Sequence, residues 1–350
     1  MNKLMKKGVL LYTCYNGYNR TKYHIPTDEE LKQILAVTDE ILLIPIVTYN
    51  RYTDKDGNEY RVLSHEIIDN MTPDMVGDPS RFETIKSEYH ATANHRLPAD
   101  YHVADYVNDA TETAKRIVNI KPDAKLWFSV PPAENFHALT HLFGRAWADT
   151  VDLIKATLPE DIWENNLQGI YYSGEDVVEY GYTTFNKDKP EQCFDNPIVY
   201  SMKVVSDKVH EYGKNMLWIP YYHEAAPSSK TLGHIANLTD IFDTVIIQPS
   251  FFFNKARTEE IAIVSASVEK QAVLDINGNI LGGEKRSKTV IGFEMEIDHQ
   301  FYTDEAYVER YYAYEKGFGK FVGTYPTAYY AGTPETLVKS LDIIKKYFTE

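Results

Sequence analysis

A closed (β/α)8 barrel is the fold this sequence predicts, and three observations predict it. Eight apolar runs of strand length alternate with segments of helical periodicity along the 350 residues. The runs read apolar on both faces, as in Ile41-Leu42-Leu43-Ile44-Pro45-Ile46-Val47, which is the pattern of parallel strands buried between a lumen and a layer of helices. The main competitor, a doubly wound open sheet, wants a glycine-rich phosphate turn after the first strand. Asn16-Gly17-Tyr18-Asn19-Arg20 is not GxGxxG. One barrel spanning residues 1–350 as a single domain, a TIM barrel, follows from these patterns.

The strands are expected at Gly8–Tyr15, Ile41–Tyr49, Ala124–Val130, Leu167–Ser173, Asn215–Tyr222, Thr244–Phe251, Thr289–Ile297 and Phe321–Tyr325. Between the first two, Thr27-Asp28-Glu29-Glu30 forms a capping box ahead of Leu31, Ile34 and Leu35. Helical spacing of apolar residues then covers Tyr101–Ile120 and His137–Leu158, the latter stopped by Pro159. Ile198–Tyr212 ends at Gly213, a residue suited to closing a helix. A short helix is expected at Thr231–Leu238, and longer ones at Thr258–Ala272 and Thr303–Lys316. Thr333-Pro334-Glu335 opens a last helix running through Phe348. The connections after strand two (50–100) and strand four (176–196) are long, and both fall at the C-terminal end of the barrel, where active sites are built. Asp275-Ile276-Asn277-Gly278-Asn279-Ile280 reads as a hairpin turn on the opposite side.

Composition narrows the function. With 36 basic against 51 acidic residues the net charge is −15, which disfavours a nucleic acid partner. Hydrophobic residues make up 43% of the chain and aromatic residues 13%, enough for a large core and against disorder. The 27 tyrosines, each with an apolar face and a hydroxyl tip, suit a wet cleft and lean toward neutral polar ligands such as sugars. Cys14 and Cys193 cannot form a disulfide framework and make no CxxC pair. No run approaches the ~18 apolar residues of a membrane span, and Gly8–Tyr15 is too short and too polar for an export signal. The chain as it stands is expected in the cytoplasm; one shorn of its signal would read alike. Oligomeric state is not encoded in any of these patterns.

Three acids share one face of strand seven. In Ile291-Gly292-Phe293-Glu294-Met295-Glu296-Ile297-Asp298, alternation turns Ile291, Phe293, Met295 and Ile297 to the helices and Glu294, Glu296 and Asp298 to the lumen. Carboxylates facing a barrel interior cost several kcal/mol each unless paired, coordinated or hydrated, so function is the economical reason for three of them. A salt-bridge network or a reversed facing is the other explanation. On strand four, Gly169-Ile170-Tyr171-Tyr172-Ser173-Gly174-Glu175-Asp176 brings Glu175 to the rim, unless it merely caps a helix or sits in the loop. Two carboxyls facing each other across the mouth are what glycoside hydrolysis needs, one protonated to donate and one ionised. Glu175 is expected as general acid/base and Glu296 as nucleophile, with Glu294 as alternative nucleophile or tuning neighbour. Carboxyls about 5 Å apart would mean retention, and about 6.5–9.5 Å inversion. Rings of Tyr15, Tyr49, Trp218, Tyr222, Phe252 and Tyr325 could stack on a pyranose, while Asn16, Asn50, His223, Gln248 and Asp298 could bond its hydroxyls.

The runs Trp218-Ile219-Pro220-Tyr221-Tyr222, Ile247-Gln248-Pro249-Ser250-Phe251-Phe252-Phe253 and Gly292–Asp298, with the strand-four segment Gly169–Asp176, resemble a bacterial (β/α)8-barrel family. That family, long described as a domain of unknown function, is regarded as glycoside-hydrolase-like. The resemblance is clear over strands four to seven and loose elsewhere, and it implies a barrel and carbohydrate work without naming a sugar. The acids on strands four and seven are also similar in placement to those of the large retaining-glycosidase clan. Gly174 departs from that clan, where an Asn usually precedes the strand-four acid.

Two rival readings stand beside the glycosidase. Glu294, Glu296, Asp298, His299, His223 and Glu224 could supply ligands to a metal enzyme, although no HExxH or comparable spacing is present, so no metal or cofactor is expected. A sugar-binding barrel without catalysis is the non-enzyme alternative, and the acids retained at the rim argue against it.

Overall fold

The computed structural model describes residues 4–13, 25–45, 103–130, 143–175, 197–223 and 227–349, residue 177 and parts of 51–87. The chain is a (β/α)8 barrel. Its strands are β1 (Gly8–Thr13), β2 (Glu40–Pro45), β3 (Lys125–Val130), β4 (Leu167–Tyr172), β5 (Asn215–Trp218), β6 (Thr244–Ile247), β7 (Val290–Glu296) and β8 (Thr327–Tyr330). Each pairs in parallel with its neighbours, and β8 closes on β1 through Gly8↔Ala328 and Val9↔Tyr329. Outside the barrel lie α1 (Asp28–Leu35), α2 (Val103–Ile120), α3 (Phe143–Thr157), α4 (Glu160–Asn165), α5 (Pro197–Glu211), α6 (Pro227–Leu238), α7 (Thr258–Lys270), α8 (Glu305–Phe318), α9 (Pro334–Lys339) and α10 (Leu341–Thr349). In the connection after β2, Arg51–Thr53 and Glu59–Arg61 pair as a small antiparallel ribbon.

Local chemistry explains the element ends. Thr27 accepts from the Glu30 amide at 3.2 Å and Glu30 accepts from the Thr27 amide at 2.7 Å, so the capping box is reciprocal. Gly213 takes φ +66° just past α5. Asp275 accepts from the amides of Asn277 and Asn279, forming the expected turn between Leu274 and Ile280. The last helical stretch breaks at Ser340 into α9 and α10. The eighth strand is not at Phe321–Tyr325 but begins at Thr327. Gly319–Phe321 is a 3-10 turn and Phe321 is core, so the apolar residues there pack from the approach to the strand.

Alternation divides the core into two layers. Ile291, Phe293, Met295 and Ile297 of β7 pack outward with the helices. The lumen holds Leu10, Leu42, Trp127, Tyr171, Leu217, Ile219, Ile246 and Ala328, with Met5 beneath them. At that lower end Glu40, 2% exposed, accepts the amides of Lys6 and Lys7 at 2.5 and 2.8 Å. The N-terminal segment thereby seals the floor of the barrel. Tyr12 and Tyr330 pack against the upper side of the lumen cluster.

Candidate active site

Glu294 and Glu296 project from β7 into the upper lumen at 3% and 2% exposure. Their register partners are Ala328 and Tyr330 on β8, so Glu296 stands one inward step above Glu294. Burial raises the Glu294 carboxyl well above the carboxylate range, and the charges of Glu296 and Glu175 push it further. Burial also raises Glu296, to about 7, against the opposing pull of the Tyr314 hydroxyl, the Phe252 and Ser250 amides and the Arg257 charge. One buried acid is therefore held neutral beside another whose ionised form is specifically supported. Glu175, exposed beyond the end of β4, lies within electrostatic reach of Glu294, Tyr12 and Tyr330. Its carbonyl accepts from the Tyr221 amide at 3.2 Å, tying this rim segment to β5. Gly174 beside it has a packing reason: a β-carbon there would come within 2.8 Å of the Tyr172 ring. The Gly174 carbonyl accepts from the Trp218 indole at 2.6 Å.

Three rings complete the wall. Tyr12 and Tyr330 meet edge-to-face at 6.4 Å with their hydroxyls hydrogen-bonded. Tyr330 meets Phe253 in the same manner at 6.2 Å, and Phe253 is 42% exposed. Burial lifts the Tyr330 phenol to about 12, and Asp298, Glu294 and Glu175 reinforce it, so all three acids share its neighbourhood. Asp298 caps the 3-10 turn His299–Tyr302 and lies against the α-carbon of Gly332.

Several expected contacts are placed elsewhere. Trp218 and Tyr222 are buried in the outer layer: Trp218 stacks on Phe242 at 5.1 Å and Tyr222 donates to the Leu274 carbonyl at 2.9 Å. Phe252 is fully buried, edge-on to Tyr307 of α8, which makes its neighbour Phe253 the rim ring. Gln248, 8% exposed, donates its amide to the Ile219 carbonyl and latches β6 to β5. Tyr325 precedes β8 and packs on Phe321, at the opposite end of the strand from Tyr330. It cannot face the mouth. His223 sits at the rim with its Nδ1 3.3 Å from Glu260, which also faces Arg257 at 3.9 Å. Tyr15, Asn16, Tyr49, Asn50 and Glu224 lie outside the described residues. Among the described residues no three His, Cys, Asp or Glu side chains are grouped to hold a metal ion. No helix among them is long and apolar enough to cross a membrane.

Sequence reasoning missed Tyr12, Phe253, Arg257, Tyr314 and Tyr330. Tyr12 was accessible by alternation from Leu10, and Tyr330 was lost with the misplaced eighth strand. Tyr314 carries no local signal, because it reaches the lumen from a helix.

Comparison with known proteins adds little to this geometry. No family model matches the chain, and no curated protein matches it. Among solved structures, the endo-β1,6-glucanase BT3312 aligns at 10% identity over 85% of this chain and 67% of its own, with a TM-score of 0.34. Xylanase10C of Cellvibrio japonicus, solved with xylopentaose, aligns at 12% identity over 98% of this chain and 67% of its own, with a TM-score of 0.23. Both likenesses are too slight to bear on the chemistry of the mouth.

Proposed function

We propose that the chain is a retaining glycoside hydrolase. The observation that carries this reading is the buried pair Glu294 and Glu296 at the lumen end of β7, with the exposed Glu175 in electrostatic contact across the mouth. Such an arrangement separates a supported carboxylate from an accessible acid, the division of labour that acetal cleavage requires. Glu296 attacks the anomeric carbon as the glycosidic C–O bond breaks, and the Glu175 proton goes to the leaving oxygen. Water then attacks the glycosyl ester, returns a proton to Glu175 and frees Glu296. Glu294 stays neutral and limits the negative charge around its neighbour. Phe253 and Tyr330 offer the apolar face for a sugar ring, and Asp298 offers acceptors to its hydroxyls. Tyr15, Asn16, Tyr49, Asn50 and His223 are further sugar contacts in this proposal.

The test is turnover of a panel of aryl glycosides by wild type, Glu175→Gln and Glu296→Gln. Each variant should lose about 10²–10⁴-fold or more in kcat with its circular dichroism unchanged. NMR of the first-formed product should show the anomeric configuration retained. Cleavage that survives both substitutions would withdraw the assignment of these two acids.

A further inference from the structure

Tyr314 lies on α8, outside the barrel, yet its hydroxyl meets Glu296 Oε2 at 2.5 Å. A phenol has one proton and two lone pairs. The backbone amides of Phe251 and Phe252 donate to the Tyr314 oxygen at 2.9 and 3.1 Å, occupying the acceptor side. The phenolic proton is left with one destination, Glu296 Oε2, which must present a lone pair there. The turn supplying those amides is itself held in place. Arg310 of α8 donates to the Phe252 carbonyl at 2.8 Å, and Ser250 takes φ +55°, a left-handed conformation costing a non-glycine residue energy that surrounding contacts must offset.

We propose that Tyr314 is a positioning residue that fixes the proton of the Glu294–Glu296 pair on Glu294 and keeps Glu296 as the carboxylate. The charged and titratable groups of the described residues that act on the pair fit this division. Glu175 from the end of β4 opposes ionisation of Glu294, and Arg257 beyond β6 favours ionisation of Glu296. The phenols of Tyr12 on β1 and Tyr330 on β8 stay neutral, and Asp298 beyond β7 acts on Tyr330. As a statement of protonation the inference stands apart from glycoside cleavage; as an assignment of nucleophile it rests on the reading above.

Infrared difference spectra of the whole chain carrying ¹³C-labelled glutamate can read the neutral carboxyl stretch without any substrate. At about pH 8, above the value of about 7 at which Glu296 ionises, Glu294→Gln should remove the buried neutral-carboxyl band and Glu296→Gln should leave it. The reverse pattern overturns the proposal. Tyr314→Phe should raise the pH at which Glu296 ionises by about one to two units, for the loss of a hydrogen bond to a charged group. In a cleaving enzyme the acid limb of kcat/KM should move with it, which loss of packing alone would not cause. An unmoved ionisation in a folded Tyr314→Phe protein also overturns the proposal. If that variant does not fold, the two glutamine variants still decide. If no glycoside is cleaved, the infrared result is unaffected, so the two readings fail separately.

Discussion

The Glu296 carboxyl is the residue on which pH dependence turns. Burial lifts it to about 7, so its ionised form, the proposed nucleophile, is present above that pH and lost as the pH falls through it. A kcat/KM profile should therefore decline below about pH 7, and an acid limb in the ordinary carboxylate range would show that another group attacks. Phe253 should matter differently. Removing this exposed ring, which packs on Phe252 and Tyr330 and would otherwise meet only bound sugar, should raise KM roughly two- to tenfold with little change in kcat on Phe253→Ala, measured by initial rates. Gly332 has φ +66°, and a β-carbon there would fall 2.2 Å from Asp298 Oδ1. Gly332→Ala should cost about 1–3 kcal/mol in urea unfolding and displace Asp298 from the rim. The acids were legible in the sequence because inward carboxyls on a strand have few structural excuses. The rings were not, because alternation fails in turns: Phe252 and Phe253 exchange the expected roles over a single residue.

At the scale of elements, the lower rim is fastened by side chains that bridge helices and strands. His210 near the end of α5 contacts Asp243 at 2.8 Å, and the same carboxylate accepts the Met216 amide of β5 at 2.8 Å. The Asp243 hydrogen bond, partly offset by burial, raises the His210 imidazole above its ordinary range. A raised folded-state value means that this contact contributes its full stability below about pH 6.5 and loses it as pH rises through the folded value. His210 is more than a third exposed, so solvent screening keeps the effect small. His210→Ala should flatten the dependence of Tm on pH across that window, and an unchanged slope would refute the bridge. Seven strands were legible from their apolar runs because aliphatic and aromatic residues recur through them with few polar interruptions. The eighth was not, since the approach to β8 buries Phe321 and Val322 packs against the core, while the four-residue strand itself consists of one Thr, one Ala and two Tyr. Tyr314 shows the same limit from the other side: a helix residue enters the site only through tertiary packing.

Over the whole molecule, charge should select among ligands. The net charge of −15 and the acids clustered at the mouth oppose a polyanionic substrate. At low salt, kcat/KM on a carboxymethylated glucan should fall below that on its hydroxyethylated counterpart, and the gap should narrow as salt shortens the screening length toward about 10 Å at 0.1 M. Equal rates at every salt concentration would remove electrostatics from specificity. The barrel floor has a consequence of another kind. With Met5 beneath the lumen cluster and Glu40 fastening the amides of Lys6 and Lys7, the interior is a blind well. A polymer cannot be drawn through it as a thread through a needle. Whatever reaches Glu296 leaves by the door through which it came, so each departing product must clear the mouth before the next ligand can settle there.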